Sequence, residues 1–79
     1  MILTILEPTS RRTMEIEWVD VHTIEGSRVI LPGHERLIVQ LLPQKPISIG
    51  LSGGAISSMP INNGLISVTK EEILLILDN

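Results

Sequence analysis

The 79-residue chain has no cysteine, phenylalanine or tyrosine, and Trp18 is its single tryptophan. Without cysteine there is no disulfide, no thiolate nucleophile and no cysteine-ligated zinc, a composition compatible with a reducing compartment. One indole ring does not make a platform for stacking nucleobases. Charge is also sparse. Six basic residues face nine acidic ones for a formal net charge of −3, and Arg11-Arg12 is the only basic pair. That is too little to line a polyanion groove. No apolar run approaches the roughly 18 residues of a membrane helix. The apolar start, Met1 to Leu6, meets Glu7 and Pro8 at once. No basic region precedes it, so a secretory signal is not expected.

What the chain has is aliphatic bulk: 13 isoleucines, 11 leucines and 5 valines. The core must be aliphatic, and its β-branched share favours strands. The length suits one domain, residues 1–79, that is marginal unless its core is efficient or a partner helps. Ile2 to Leu6 reads as a first strand ended by Glu7-Pro8-Thr9-Ser10. Met14, Ile16 and Trp18 alternate with Glu15 and Glu17, the period of a half-buried strand. The phase then slips, with Val19 and Val21 apolar and Asp20 and His22 polar. A bulge near Trp18-Val19 is the expected remedy.

Glu25-Gly26-Ser27 reads as a turn, Val29 to Leu31 as a short strand, and Pro32-Gly33 as its stop. Leu37 to Leu42 is read as extended. Ile47 to Leu51 is a strand that Ser52-Gly53-Gly54 turns back in a hairpin at Ala55-Ile56. Pro60 demotes Met59 to Ile61 to an edge or irregular segment. Asn62-Asn63-Gly64 is either a turn or a close approach of two backbones. Leu65 to Val68 continues the sheet, Lys70-Glu71-Glu72 turns, and Ile73 to Leu77 is the last strand. That strand is apolar at five successive positions. It lies either under a loop or against a partner. No amphipathic helix is evident. The fold class is all-β, a two-sheet sandwich or flattened barrel of about eight to ten short strands.

Constellations for chemistry are missing. His22 and His34 lie in no metal-ligand spacing, and no serine sits in a nucleophile elbow. Glu15 and Glu17 share a strand face and read as a solvated pair. Ser52-Gly53-Gly54 lacks the lysine and helix of a phosphate loop. No catalytic residue, metal or cofactor is assigned. The residues left for contact are Glu25-Gly26, a plain turn or a contact loop, and Arg28 and Arg36, which are solvated or anchor an interface through the guanidinium fork.

The run Glu25 to His34, Glu-Gly-Ser-Arg-Val-Ile-Leu-Pro-Gly-His, resembles the epsilon subunit of the F-type ATP synthase in its amino-terminal β-sandwich domain. There a Glu-Gly turn, a short strand and Pro-Gly-His follow at the same spacing. Leu3 to Pro8, Met14 to Thr23, Asn63 to Val68 and Ile73 to Asp78 resemble other strands of that family in order. Departures are Val29 in place of the usual glycine, Ser27 in place of a frequent acidic residue, and Asn62-Asn63-Gly64 in place of Ser-Gly-Gly. Residues 44–58 match weakly.

The resemblance implies a non-catalytic part of the rotating central stalk, packed on the gamma subunit and seated on the c-ring. It would help couple proton or sodium flow to rotation and ATP synthesis. It would sit peripherally at the cytoplasmic face of the membrane, through the complex. Glu25, Gly26, Ser27, Arg28, Pro32, Gly33, His34 and Arg36 are the partner-contact residues it suggests, with Glu25 to Arg28 towards the ring. Family members usually continue into a helical hairpin that inhibits hydrolysis and in some members binds ATP, whereas this chain stops at Asn79. A free-standing adaptor with the same sandwich is the alternative.

Overall fold

The computed structural model describes residues 1–33 and 36–78. Eight strands follow in order: β1 (Ile2–Glu7), β2 (Ser10–Thr23), β3 (Gly26–Ile30), β4 (Leu37–Gln40), β5 (Ile47–Leu51), β6 (Ile56–Met59), β7 (Asn63–Val68) and β8 (Glu72–Asp78). A 3-10 turn at Ser52–Gly54 joins β5 to β6. The all-β expectation holds, with β2 far longer than the rest.

Two layers share that long strand. One runs β4-β7-β8-β1-β2, and in the other β5 and β3 flank the second half of β2, with β6 beyond β5. Pairing is antiparallel throughout except that β1 and β8 run parallel. The bulge lies between Ile16 and Trp18. Ile16 faces Leu51 and Trp18 faces Gly50, so β2 carries one extra residue, Glu17. The insertion moves the buried phase from Ile16 to Val19, Val21 and Thr23. It sits just before the expected Trp18-Val19 position, for the expected reason.

Between the layers, Leu3, Ile5, Ile66, Val68, Ile73 and Leu75 pack against Val19, Val21, Ile30, Ile47 and Ile49, all buried. Trp18 is outside this core. Its indole lies flat on Gly50, where a methyl group would overlap the ring. At one end the segment after β4 ties the layers together. Leu41 N–H donates to Gly64 O at 2.9 Å, Leu42 N–H to His22 O at 2.8 Å, and Gln44 N–H to Asn62 O at 2.9 Å. Gly64 lies inside β7 under the Leu77 and Leu41 side chains. The Asn62-Asn63-Gly64 cluster is thus a close approach. The turn after β7 is closed by Thr69, whose N–H donates to Glu72 O at 2.9 Å.

Leu75 has no exposed surface. Leu75→Ala is expected to cost about 2–5 kcal/mol, a large share of a small domain's stability, measured by urea unfolding. Gly50→Ala is expected to cost about 1–3 kcal/mol through overpacking and to shift the emission of Trp18, the only indole. An unshifted spectrum would show that the ring does not rest there.

Candidate docking surface

The β2–β3 hairpin positions four of the contact residues suggested by sequence. Its turn is Ile24-Glu25, and Gly26 already belongs to β3. Thr23, 1% exposed, braces the tip from below. Its hydroxyl donates to Gly26 O at 2.9 Å and accepts the Glu25 N–H at 3.2 Å. Gly26 has φ of 117°, a backbone state that side chains with a Cβ rarely adopt. Glu25 and Arg28 form an ion pair at 3.5 Å, and Ser27 Oγ lies 3.0 Å from His22 Nδ1 at the end of β2. The tip is therefore braced by hydrogen bonds, and its charges face each other.

The remaining suggested residues are elsewhere. Pro32 and Gly33 follow the far end of β3. Four strand steps of about 3.3 Å each already separate Gly26 from Ile30 by roughly 13 Å. Arg36 is exposed immediately before β4. His34 lies outside the described residues. The described contact residues read from sequence are thus not one group: Glu25 to Arg28 and Pro32-Gly33 lie at opposite ends of β3, and Arg36 precedes β4.

A larger feature is the outer face of the β4-β7-β8-β1-β2 layer. Residues directly opposite each other in a sheet share a face, so the registers define its rows. Gln40, Leu65, Ile76, Leu6 and Arg11 form one row; Ile38, Ser67, Leu74, Thr4 and Thr13 form the next; Glu72, Ile2 and Glu15 form a third. Ile38 is 72% exposed and Ile76 40%, with Ile2 and Leu65 close behind. Leu6 and Leu74 are half-buried. Thr4, only 3% exposed, is hidden by its neighbours. The apolar run of β8 therefore alternates between core (Ile73, Leu75, Leu77) and this face (Leu74, Ile76). Sequence reading flagged β8 but missed Ile38, Leu65, Leu6 and Ile2; their signal was apolar residues at the outward phase.

The other outer face is mixed. Val29, Asp20, Ser48 and Ser58 share a row there, and Ile56 lies opposite Gly50. Asp20 Oδ1 is shielded and finds no hydrogen-bond partner among the described residues. Among the described residues no three His, Asp or Glu side chains gather as a metal site. The basic pair is split: Arg11 lies opposite Leu6, and Arg12 opposite the core residue Ile5. Arg12 Nη2 reaches Glu7 Oε1 at 3.5 Å.

At the tip end a cleft of about 190 Å³ is lined by Ile24, Gln40, Leu41, Leu42 and Pro43. Gln40 also lines a shallow hollow with Asn63, Leu65 and Ile76. Apolar surface thus runs from the sheet face around the end to Ile24, which is 85% exposed. Sequence reading missed Ile24, Leu42 and Pro43 because only their places in loops mark them. No helix of the described residues is long and apolar enough to cross a membrane.

Residues 2–79 match the family "ATP synthase, Delta/Epsilon chain, beta-sandwich domain". The chain is 33% identical over 61 residues to the ATP synthase epsilon chain of Corynebacterium jeikeium (strain K411), covering 77% of this chain and 50% of that protein. It is 30% identical over 60 residues to the epsilon chain of Corynebacterium diphtheriae, covering 76% and 49%. The chain spans about half the length of these curated relatives. Its fold is similar to a chain in the Euglena gracilis mitochondrial ATP synthase (OSCP/F1/c-ring), with TM-score 0.88, 22% identity, 95% of this chain and 48% of that one. It is also similar to a chain in the central stalk/c-ring of the Tetrahymena thermophila mitochondrial enzyme, with TM-score 0.85, 16% identity, 100% of this chain and 63% of that one. With the family matched over residues 2–79, the chain belongs to the delta/epsilon-chain β-sandwich family of ATP synthases.

Proposed function

We propose that the chain is a non-catalytic subunit of the rotating central stalk. Through the gamma subunit and the c-ring it couples ion flow to rotation, and rotation to ATP synthesis at sites on other subunits. It reaches the membrane only through that complex. The solvent-open aliphatic face of β4, β7, β8 and β1 carries this reading. Monomeric soluble domains rarely leave a contiguous apolar patch on a sheet unless something docks there. Kinship with epsilon chains supports a partner within the ATP synthase.

In this arrangement the gamma subunit covers Ile38, Leu65, Leu74 and Ile76. Arg36, two residues before Ile38, borders the same contact, and Pro32 and Gly33 precede it in the chain. The braced tip, Glu25 to Arg28, points to the c-ring. A close-packed sandwich deforms little under load, which suits a part that transmits torque.

The test is binding of the purified chain to its gamma subunit, followed by co-elution and calorimetry. Burying one aliphatic side chain contributes about 1.5–3 kcal/mol, and each 1.4 kcal/mol is tenfold in affinity. Ile76→Asp and Ile38→Asp are each expected to weaken gamma binding at least tenfold while leaving the fold intact, since both sites are exposed. If both variants bind gamma like the parent chain, the docking face is elsewhere. If the parent chain does not bind gamma at all, the rotor assignment is lost.

A further inference from the structure

We infer that Asn63 is a site of spontaneous deamidation, and that the acidic side chain it yields stands on the apolar outer face, opposite Asp78. The modification follows from the chemistry of this chain alone; its effect on docking rests on the rotor reading.

Asn63 is exposed at the first position of β7, and Gly64 follows it. The Gly64 nitrogen attacks the Asn63 side-chain amide carbon. An N–Cγ bond forms, the bond from Cγ to the amide nitrogen breaks, and ammonia leaves with the proton of the Gly64 N–H. The product is a five-membered succinimide. Water then opens one of its two ring C–N bonds. Cleavage at Cγ leaves aspartate, and cleavage at the main-chain carbonyl leaves isoaspartate. Only water is consumed. Glycine suits this step because no Cβ crowds the attacking nitrogen and the backbone turns freely. Asn62 is followed by Asn63, whose side chain crowds the corresponding nitrogen.

The place in the fold sets both rate and consequence. Asn63 and Asp78 form the last rung of the β7–β8 ladder, and an end rung opens more readily than a central one. Gly64 O still accepts the Leu41 N–H at 2.9 Å, so the folded chain reacts more slowly than the unfolded one. Leu77, opposite Gly64, is buried. Asn63 and Asp78 therefore take the outward phase of Leu65 and Ile76, and with Gln40 all four line one hollow. Deamidation sets like charges directly opposite each other, which destabilises a sheet, on the face assigned to gamma. The isoaspartate form also lengthens the main chain by one methylene and puts Gly64 out of step with Leu77 and Leu41.

The experiment ages the purified full chain at mildly alkaline pH, folded and in urea, and follows it by peptide mapping with isoaspartate detection. Acid is expected at Asn63 at least tenfold faster than at Asn62, and faster in urea than in the fold. Asn63→Gln should remove it. Asn63→Asp should melt below the parent chain, with the gap narrowing as salt screens the charges, and should bind gamma several-fold more weakly. Conversion of Asn62 first, or no acid at Asn63 in the folded chain once the unfolded chain has fully converted, would overturn the site. An Asn63→Asp chain as stable as the parent at low salt would overturn the opposed charges, and one that binds gamma equally well would overturn the docking effect. A parent chain that ignores gamma would defeat the rotor reading and the docking effect, while the peptide map still decides the modification.

Discussion

The structure depends on one strand serving two layers. β2 pairs with β1 along its first half and with β5 and β3 along its second. Each layer demands that its own inward residues be aliphatic. A regular strand turns alternate residues to opposite faces, so β2 cannot satisfy both layers in one phase. The extra residue at Glu17 resolves the conflict. It lets Ile16 and then Val19 and Val21 point into the same core. It also places Trp18 on the outside, where Gly50 leaves room for an indole.

The core is built wholly of Ile, Leu and Val, and the domain is small, so little aliphatic area is available to hold it. Yet β4, β7, β8 and β1 turn further isoleucines and leucines outwards. The most exposed of them, Ile38, buries little in the isolated fold, and together they leave sheet surface open to unwanted contacts. Their presence makes sense in an assembly, where a partner's surface completes the burial that a small domain cannot supply alone. Thr4, a polar residue, is already hidden by its neighbours in the middle of that face, its hydroxyl 3.4 Å from that of Thr13.

Much of the fold was legible in the sequence because the rules that shape it are local. The phase slip after Trp18 announced the bulge. Pro60 ended β6 and left it on an edge, and Ser52-Gly53-Gly54 turned β5 back into it. The site was less legible, for two reasons. Whether the run Ile73 to Leu77 is covered on both faces depends on what other elements lie over it, and no local pattern carries that information. The contact residues from Glu25 to Arg36 form one stretch in sequence, but an extended strand carries its ends far apart. Ile24 was overlooked because a lone aliphatic in a turn has no periodic neighbours to mark it; its exposure beside a cleft is seen only in the fold.

β8 lies between β1 and β7, with β1 alongside in parallel. The first strand of the chain and the last are thus neighbours in the middle of one layer. That layer stays open until residues 72–78 have been made and inserted, because β1 has no inner neighbour before then. Pairings so distant in sequence are slow to find. Until β8 is in place, one edge of β1 has no strand beside it, and an unpaired edge is a template for pairing with other chains.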